Sequence, residues 1–376
     1  MPETLMAASA DTAECWTRRE ILQQPDTLAE THALIARDAG ALDGFLQPLL
    51  ARPNLRIVLT GAGTSAFIGD SLAPWLSQLL GRCVESIPTT DLVSSPALFL
   101  RAGAPILLVS FGRSGNSPES VAALDLVDAR VADVHHLIIT CNAEGALAKR
   151  HYADGHVILL PEATHDRAFA MTSSFSAMML TALTAFTGPA AMAERVVAIS
   201  DAVRAVARDV EEKATALAAR NFSRVVYLGS GVFKGLAREA ALKLLELSDG
   251  KVVTAFDTAL GFRHGPKTIV APDALIVVFL SNDPLTRHYD LDIVEELRAD
   301  ARCGALLTVS AQPGDNADVI VPGMAAATDA DLLFPFIVPA QLYALQVSLA
   351  LGLTPDTPNQ NGTVNRVVQG VRIHNA

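Results

Sequence analysis

The 376-residue chain has little of several features that mark other classes of protein. Only 5% of its residues are aromatic and 18% are charged, while 50% are hydrophobic, which is the reverse of a disordered composition. Acidic residues outnumber basic ones by 40 to 29, and no run of five basic residues occurs. Phosphate backbones are bound by clustered Lys and Arg, so no nucleic-acid partner is expected. The length suggests two folded domains.

Long apolar stretches are also lacking. No stretch of 18 uninterrupted apolar residues occurs, so no membrane span is expected. The first four residues, Met-Pro-Glu-Thr, lack the basic start of a signal peptide. The four cysteines, at positions 15, 83, 141 and 303, form no Cys-x-x-Cys pair, which is typical of free thiols in a reducing cytoplasm. These absences together predict a cytoplasmic globular protein.

Short apolar segments alternate with amphipathic ones after residue 50. Four of them have the length and branched composition of strands buried on both faces of a parallel sheet: 56–60, 106–111, 137–140 and 157–160. Similar segments return in the same order at an offset of 168 or 169 residues, at 224–231, 274–280 and 306–311. The chain is therefore predicted to have an α/β fold with two tandem, doubly wound parallel sheets of the flavodoxin-like kind.

The predicted domain organisation follows from the segments between these strands. Apolar residues at helical spacing occupy much of the first fifty residues, an alanine-rich stretch separates the two sets of strands, and the end is rich in Pro, Asn and Gly. The organisation is a helical N-terminal segment (1–50), a first sheet domain (51–189), a connecting helix (190–220), a second sheet domain (221–353) and an extended tail (354–376).

The loop after the second predicted strand has the composition of an anion site. Pro118 suits the first turn of a helix with Ser117 as its N-cap. The free N–H groups of that turn, the hydroxyls of Ser114 and Ser117, and the charge of Arg113 could hold a phosphate. An ordinary capped helix start is the alternative interpretation.

The loop after the first strand fits a rival function. Gly61, Gly63 and Ala66 match the dinucleotide fingerprint, and Glu85 follows where a ribose-binding acid would be expected. This pattern predicts an NAD-linked oxidoreductase. It is weak, because the equivalent loop at 229–234 lacks the third small residue.

The segment 236–247 predicts a helix with one charged stripe. Glu239, Lys243 and Glu246 fall on one face, and most of the remaining surface is Ala and Leu. A solvent-facing Glu–Lys pair is the commonest reason for this spacing. A helix that is otherwise apolar should be buried, however, so the stripe is interpreted as lining a cleft in which a carboxylate can transfer a proton.

His264 lies in a predicted loop between Arg263 and Lys267, with Gly and Pro beside it. Neighbouring cations should keep its ring neutral, as an acid–base group requires. No HxH or HExxH spacing and no carboxylate–His–Cys cluster occurs, so no metal is expected.

These motifs together resemble the sugar isomerase (SIS) domain family. The resemblance rests on the doubled α/β unit, the Gly63-Thr64-Ser65 turn, the loop from Arg113 through Ser114, Gly115 and Asn116 to Ser117, the Glu239–Lys243–Glu246 helix and the loop at 263–266. Residues 261–267 and 363–370 are more narrowly similar to the AgaS-type tagatose-6-phosphate ketose/aldose isomerases and galactosamine-6-phosphate deaminases. The isomerase half of glucosamine-6-phosphate synthase is a more distant relative.

The resemblance implies roles for particular residues. Ser65, Ser114, Ser117 and the Thr172-Ser173 turn would hold the sugar phosphate. Glu246 would be the proton-shuttling base, supported by Glu239 and Lys243. His264 would open the sugar ring, often from the neighbouring subunit of a homodimer with shared active sites.

The resemblance also implies the reaction, which is loss of ammonia from galactosamine 6-phosphate to give tagatose 6-phosphate. No cofactor is expected, because the carbonyl of the substrate is the electron sink. Glucosamine 6-phosphate as substrate, simple ketose/aldose isomerisation and non-catalytic sugar-phosphate sensing stay open. The synthase's amidotransferase half and its C-terminal lysine have no counterpart in this chain, and Asn365 or Arg366 is expected near the lysine's place.

Overall fold

Two parallel β-sheets form the framework of the computed structural model, which describes residues 15–100 and 103–374. The start of the N-terminal segment, for which the sequence predicts no signal peptide, lies outside the described residues. The strands are β1 (Arg56–Thr60), β2 (Val84–Ser86), β3 (Ile106–Gly112), β4 (Val134–Thr140), β5 (Gly155–Leu159), β6 (Arg224–Gly229), β7 (Val253–Asp257), β8 (Ala274–Phe279), β9 (Ala305–Ser310) and β10 (Val319–Ile320).

The two sheets have the same topology. The first has the order β2-β1-β3-β4-β5, and the second, counted from its opposite edge, has the equivalent order β7-β6-β8-β9-β10. Neighbouring strands run parallel throughout both sheets. This is the flavodoxin-like order, in which ligands bind at the carboxyl ends of the two central strands where the order reverses. The prediction of two tandem, doubly wound parallel sheets is confirmed.

Helices cover both faces of the sheets, which explains why all seven residues of the central strand β3 are buried. They are α1 (Trp16–Leu22), α2 (Gln24–Arg37), α3 (Ala39–Leu50), α4 (Thr64–Leu80), α5 (Thr89–Ser94), α6 (Pro96–Phe99), α7 (Pro118–Arg130), α8 (Ala146–Lys149), α9 (Ser173–Thr187), α10 (Pro189–Ala218), α11 (Phe233–Leu247), α12 (Ala259–Phe262), α13 (Pro284–Asp300) and α14 (Asp329–Ala350). Short 3-10 helices lie at Glu162–Thr164 and Pro266–Ile269.

Helix α14 has the length and mean hydropathy of a membrane span, the one such helix among residues 15–100 and 103–374. Of its apolar window, 89% is buried inside the protein. It packs against α10 and α11. Helix α14 is therefore a core helix that joins the layers of the fold.

Candidate active site

A cavity of about 200 Å³ opens at the carboxyl ends of β1 and β3, where the topology places a ligand. The starts of α4 and α7 form one wall, and α11 and the C-terminal tail form the other. The polar side chains on the wall include Thr64, Ser65, Ser114, Ser117, Ser120 and Glu246. The cavity thus joins the predicted phosphate loop to the predicted base, although they are more than a hundred residues apart in sequence.

The start of α7 has the predicted capped geometry. Ser117 is the N-cap and accepts a hydrogen bond from the backbone N–H of Ser120 at 3.4 Å, and Pro118 follows in the first turn. The Ser117 hydroxyl also donates to the Ser120 hydroxyl at 2.6 Å. Ser120 was not among the predicted site residues. Its position three residues after the N-cap could have indicated it, because that residue also lies in the first turn.

The start of α4 is a second helix N-terminus on the cavity wall. Gly63 precedes the helix with a φ of 55°, in the region that favours glycine, and Thr64 and Ser65 follow it on the cavity wall. Two long helices therefore direct their N-terminal ends at one cavity. The positive ends of their dipoles and their hydroxyl groups favour an anion there without a cluster of basic residues.

Arg113 contacts the backbone rather than an acidic partner. Its guanidinium donates to the carbonyl oxygens of Ala168, Phe169 and Arg366 at 3.2, 3.1 and 2.8 Å. Burial lowers its pKa from the ordinary arginine value. Arg113 lines the cavity and also ties the phosphate loop to the tail.

Asn116, part of the loop on which the family resemblance rests, lies outside the cavity. Its side chain is exposed and is not on the cavity wall. Its amide oxygen accepts a hydrogen bond from the backbone N–H of Ala146 at 2.8 Å, at the start of α8. Asn116 therefore fixes the outer side of the phosphate loop.

The charged stripe of α11 is divided by burial. Glu239 and Lys243 are 0% and 1% exposed, and only Glu246 reaches the cavity. The Lys243 ammonium donates to Glu246 Oε2 at 2.5 Å and to the Thr64 hydroxyl at 3.0 Å, while the Thr64 hydroxyl donates to Glu239 at 3.2 Å. Lys243 thus fixes the Glu246 carboxylate from the buried side, away from the cavity.

Two opposite effects act on the protons of the buried pair. Burial raises the pKa of Glu239 to about 8, so this side chain keeps its proton at neutral pH. Burial by itself would lower the pKa of Lys243, but the carboxyl groups around it, with Glu246 Oε2 at 2.5 Å, outweigh burial and raise the pKa. At neutral pH the site therefore contains an ammonium beside Glu246, with a neutral carboxyl behind it.

A close approach of α4 and α11 makes these contacts possible. A Cβ at Gly235 would lie 2.4 Å from the backbone nitrogen of Ser71 and 2.7 Å from the backbone carbon of Asp70. Only glycine allows the two helices to pack this closely. Their contact brings Thr64 of the first half of the chain to Lys243 of the second.

The Thr172-Ser173 turn is buried outside the cavity wall, which has Phe169 and Met171 instead. The Ser173 hydroxyl donates to the Asp166 carboxylate and accepts from the Gln23 amide at 2.9 Å. The Thr172 backbone N–H also donates to Asp166, at 2.8 Å. In this structure the turn is bound to Asp166, which does not fit the phosphate-binding role predicted for it.

The structure places His264 and Arg263 away from the cavity. The predicted loop is partly helical, since α12 and the second 3-10 helix flank His264, and the His264 side chain is exposed. Arg263 and Lys267 both form ion pairs with Glu296 of α13. Both cations that flank His264 in the sequence are thus paired with an acidic side chain.

The C-terminal tail reaches the cavity, as expected for Asn365 and Arg366. Both residues line its wall. The Arg366 guanidinium donates to the carbonyl oxygens of Asp166 and Ala168. The tail is thus attached to the same loop that Arg113 contacts.

Glu85, the acidic residue on which the prediction of an NAD-linked oxidoreductase depends, does not line the cavity. Glu85 lies in β2 and forms a two-bond ion pair with Arg56 at 2.8 and 2.9 Å, outside the cavity. Within residues 15–100 and 103–374 no group of three His, Cys, Asp or Glu side chains could hold a metal ion.

Comparison with known proteins identifies the family. The family model of the SIS domain matches residues 49–188. An AgaS protein of Streptomyces coelicolor is 49% identical over 97% of this chain and 96% of its own length. The chain belongs to the AgaS family of SIS-domain proteins. The resemblance found in the sequence motifs is confirmed.

Two further AgaS-type relatives carry names that describe a reaction. The D-galactosamine-6-phosphate deaminase AgaS of Escherichia coli is 45% identical over 100% of this chain and 99% of its own length. The crystal structure of tagatose-6-phosphate ketose/aldose isomerase from Escherichia coli has a TM-score of 0.90 and 42% identity, and the match covers 100% of this chain and 99% of that one.

Proposed function

We propose that this AgaS-family chain converts D-galactosamine 6-phosphate and water into D-tagatose 6-phosphate and ammonia. The observation that carries the proposal is a carboxylate, Glu246, that faces a cradle of two helix N-termini across one small cavity. The names of the Escherichia coli relatives agree with this chemistry, since deamination and ketose/aldose isomerisation share one proton transfer.

The cradle supplies the binding energy. The starts of α4 and α7, with the Ser65, Ser114 and Ser117 hydroxyls, bind the phosphate of the substrate. The phosphate is remote from the carbons that react, so the energy of holding it positions C1 and C2 beside Glu246. Thr172 and Ser173 do not contact the phosphate in this arrangement. They donate hydrogen bonds to Asp166 and so hold the loop at 166–169 in place.

Glu246 transfers the proton. In the open-chain aldehyde its carboxylate removes the C2 proton, giving an enolate with the oxyanion on C1 and the amine on C2. The same carboxyl returns the proton to C1, and one proton of the amine passes to the C1 oxygen, which produces a 2-imine with a hydroxyl on C1. Water adds to C2 and ammonia leaves, giving the ketose phosphate. Lys243, whose ammonium lies 2.5 Å from Glu246 Oε2, orients the carboxylate through both steps.

Ring opening requires a second acid–base group. His264 of the same chain is exposed and lies outside the cavity wall. We therefore propose a homodimer in which His264 of one protomer reaches the cavity of its partner, as the family resemblance implies. The four unpaired cysteines are typical of a reducing compartment, and the proposed location is the cytoplasm.

Ammonia release from galactosamine 6-phosphate and glucosamine 6-phosphate, measured side by side, tests the proposal. We expect faster release from the galacto sugar. Faster release from the gluco sugar would keep the mechanism and change the substrate. No ammonia from either, with interconversion of a ketose and an aldose phosphate, would show simple isomerisation. Neither ammonia nor interconversion, with retained binding, would show a sensor.

A further inference from the structure

A second, larger depression lies next to the cavity. It is a groove of about 810 Å³ between α1, the loop at 162–167 and the tail. Its lining side chains include Trp16, Arg19, Glu20, Glu162, Arg167 and Arg366. Arg366 also lines the cavity, and Phe169, two residues after Arg167, lies on the cavity wall. The groove and the cavity are therefore neighbours that share one side chain.

The arginines of the groove are held in place without acidic partners. The guanidinium carbons of Arg167 and Arg19 lie 4.3 and 4.9 Å from the centre of the Trp16 ring. Neither arginine takes part in an ion pair among the residues that the structure describes. Stacking on an aromatic ring orders a guanidinium and leaves its N–H groups free to bind an anion.

The acidic side chains of the groove offset little of this charge. Burial, with the nearby charge of Asp166, raises the pKa of Glu20 to about 8, so Glu20 is neutral at pH 7. Burial also lowers the pKa of His165, which keeps that ring neutral. Three guanidinium groups line the groove, whereas Glu162 has the one exposed carboxyl group on its wall. Asp166 is buried behind the wall and accepts hydrogen bonds from Thr172, Ser173 and Ser174. Cationic side chains therefore outnumber exposed acidic ones in this groove, on a protein whose net charge is −11.

We propose that this groove is an outer binding site for the phosphate group of the sugar substrate, occupied before the substrate enters the cavity. A dianion approaching an acidic protein is repelled over most of the surface, and a local positive field raises its concentration where the active site opens. The inference rests on the proposed function, because it requires a phosphorylated substrate. Arg19 and Arg167 would determine how efficiently the substrate is captured and would not act in the proton transfer.

The double variant Arg19→Gln/Arg167→Gln tests this proposal. At low ionic strength, about 10 mM, its kcat/KM for ammonia release should fall about fivefold, while kcat changes less than about twofold. The loss should shrink to under about twofold at an ionic strength of about 0.3 M, where charges are screened over a few ångströms. The variant Arg19→Lys/Arg167→Lys, which keeps both charges, should retain most of the wild-type kcat/KM.

A matched control removes the same charge elsewhere. Arg298 and Arg302 are exposed, in or just after α13 on the second sheet. Arg298→Gln/Arg302→Gln should have the kcat/KM of the wild type at both ionic strengths. If the groove variant matched this control, or if its loss did not depend on salt, the outer site would be disproved.

Failure of the outer site can be distinguished from failure of the proposed function. An inactive wild type would overturn the proposed function itself, whereas an active wild type with an unaffected groove variant would overturn only the outer site. A change in oligomeric state of the groove variant, seen by size-exclusion chromatography with light scattering, would show that the arginines hold a partner subunit and would also overturn the outer site.

Discussion

Burial separates Glu239 from Glu246, although both lie on the same stripe of α11. Glu246 borders the cavity, whereas Glu239 is enclosed with Lys243 beneath it. The spacing predicts that the three side chains share a face, and the structure agrees. The spacing could not predict how deeply each side chain is buried, because the depth of burial depends on contacts with α4. Thr64 of α4 is 175 residues before Glu239 in the sequence.

The proton held by Glu239 makes stability depend on pH. The folded pKa is about 8, above the ordinary value of 4.5, so between these values the folded protein binds more protons than the unfolded chain. Stability therefore falls as pH rises from about 5 to about 8. Glu239→Gln removes this contribution. As the pH rises through that interval, the unfolding free energy of the variant should therefore increase relative to that of the wild type. The difference should grow by roughly 1 kcal/mol for each pH unit, to a few kcal/mol in all.

Urea unfolding of the two proteins at several pH values checks this expectation. Glu212→Gln is the control, because Glu212 is exposed on α10 and should leave the wild-type slope unchanged. Parallel curves for wild type and Glu239→Gln would show that Glu239 is ionised in the folded protein.

At the scale of elements, the contact between α4 and α11 connects the two halves of the site. Gly235→Ala would place a Cβ 2.4 Å from a backbone atom that cannot move aside, so the helices must separate. We expect a loss of about 2 kcal/mol of unfolding free energy and a lower kcat, because Lys243 would lose its contact with Thr64. Urea unfolding and ammonia release measure the two effects.

The control is Gly44→Ala in α3, where no atom lies within 4 Å of the added Cβ. Alanine favours a helix more than glycine, so this variant should gain up to about 1 kcal/mol and keep full activity. A Gly235→Ala variant that behaved like the control would contradict the close packing described here.

The strands show which elements can be predicted from sequence. The segment predicted at 56–60 is β1 itself, and β3 extends one residue beyond its prediction. The edge strands β2, β7 and β10 were not predicted, because each is short or partly exposed. Pro25 occupies the first turn of α2 and so marks the boundary between α1 and α2.

For the whole molecule, the proposed entry of His264 into the partner's cavity requires two chains for each active site. The variants Glu246→Gln and His264→Asn should each be inactive as homodimers. When they are unfolded together and refolded, half of the dimers should be mixed, and each should have one site with both wild-type residues. About a quarter of the wild-type ammonia release should return, by the statistics of random pairing into symmetric dimers. No recovery in a mixture shown to contain mixed dimers would place His264 outside the partner's cavity.

Contacts across the whole molecule also explain what the motifs could not show. Arg113, Arg366 and Asp166 come from three distant parts of the chain and meet at the loop 166–169. The sequence contains no local pattern for such a meeting. The motifs could predict that the phosphate loop and the tail belong to the active site. They could not predict that the two are attached to one another, because those contacts form only in the folded chain. The predicted domain limits stay predictions.

Ammonia release from galactosamine 6-phosphate by wild type and by Glu246→Gln is the decisive measurement of whether Glu246 is the base. We predict steady release by the wild type and a loss of at least about a hundredfold in the variant, as expected when a general base is removed. The variant should still bind tagatose 6-phosphate within a few-fold of wild type, because the cradle is intact. Rapid ammonia release by Glu246→Gln would show that Glu246 is not the base.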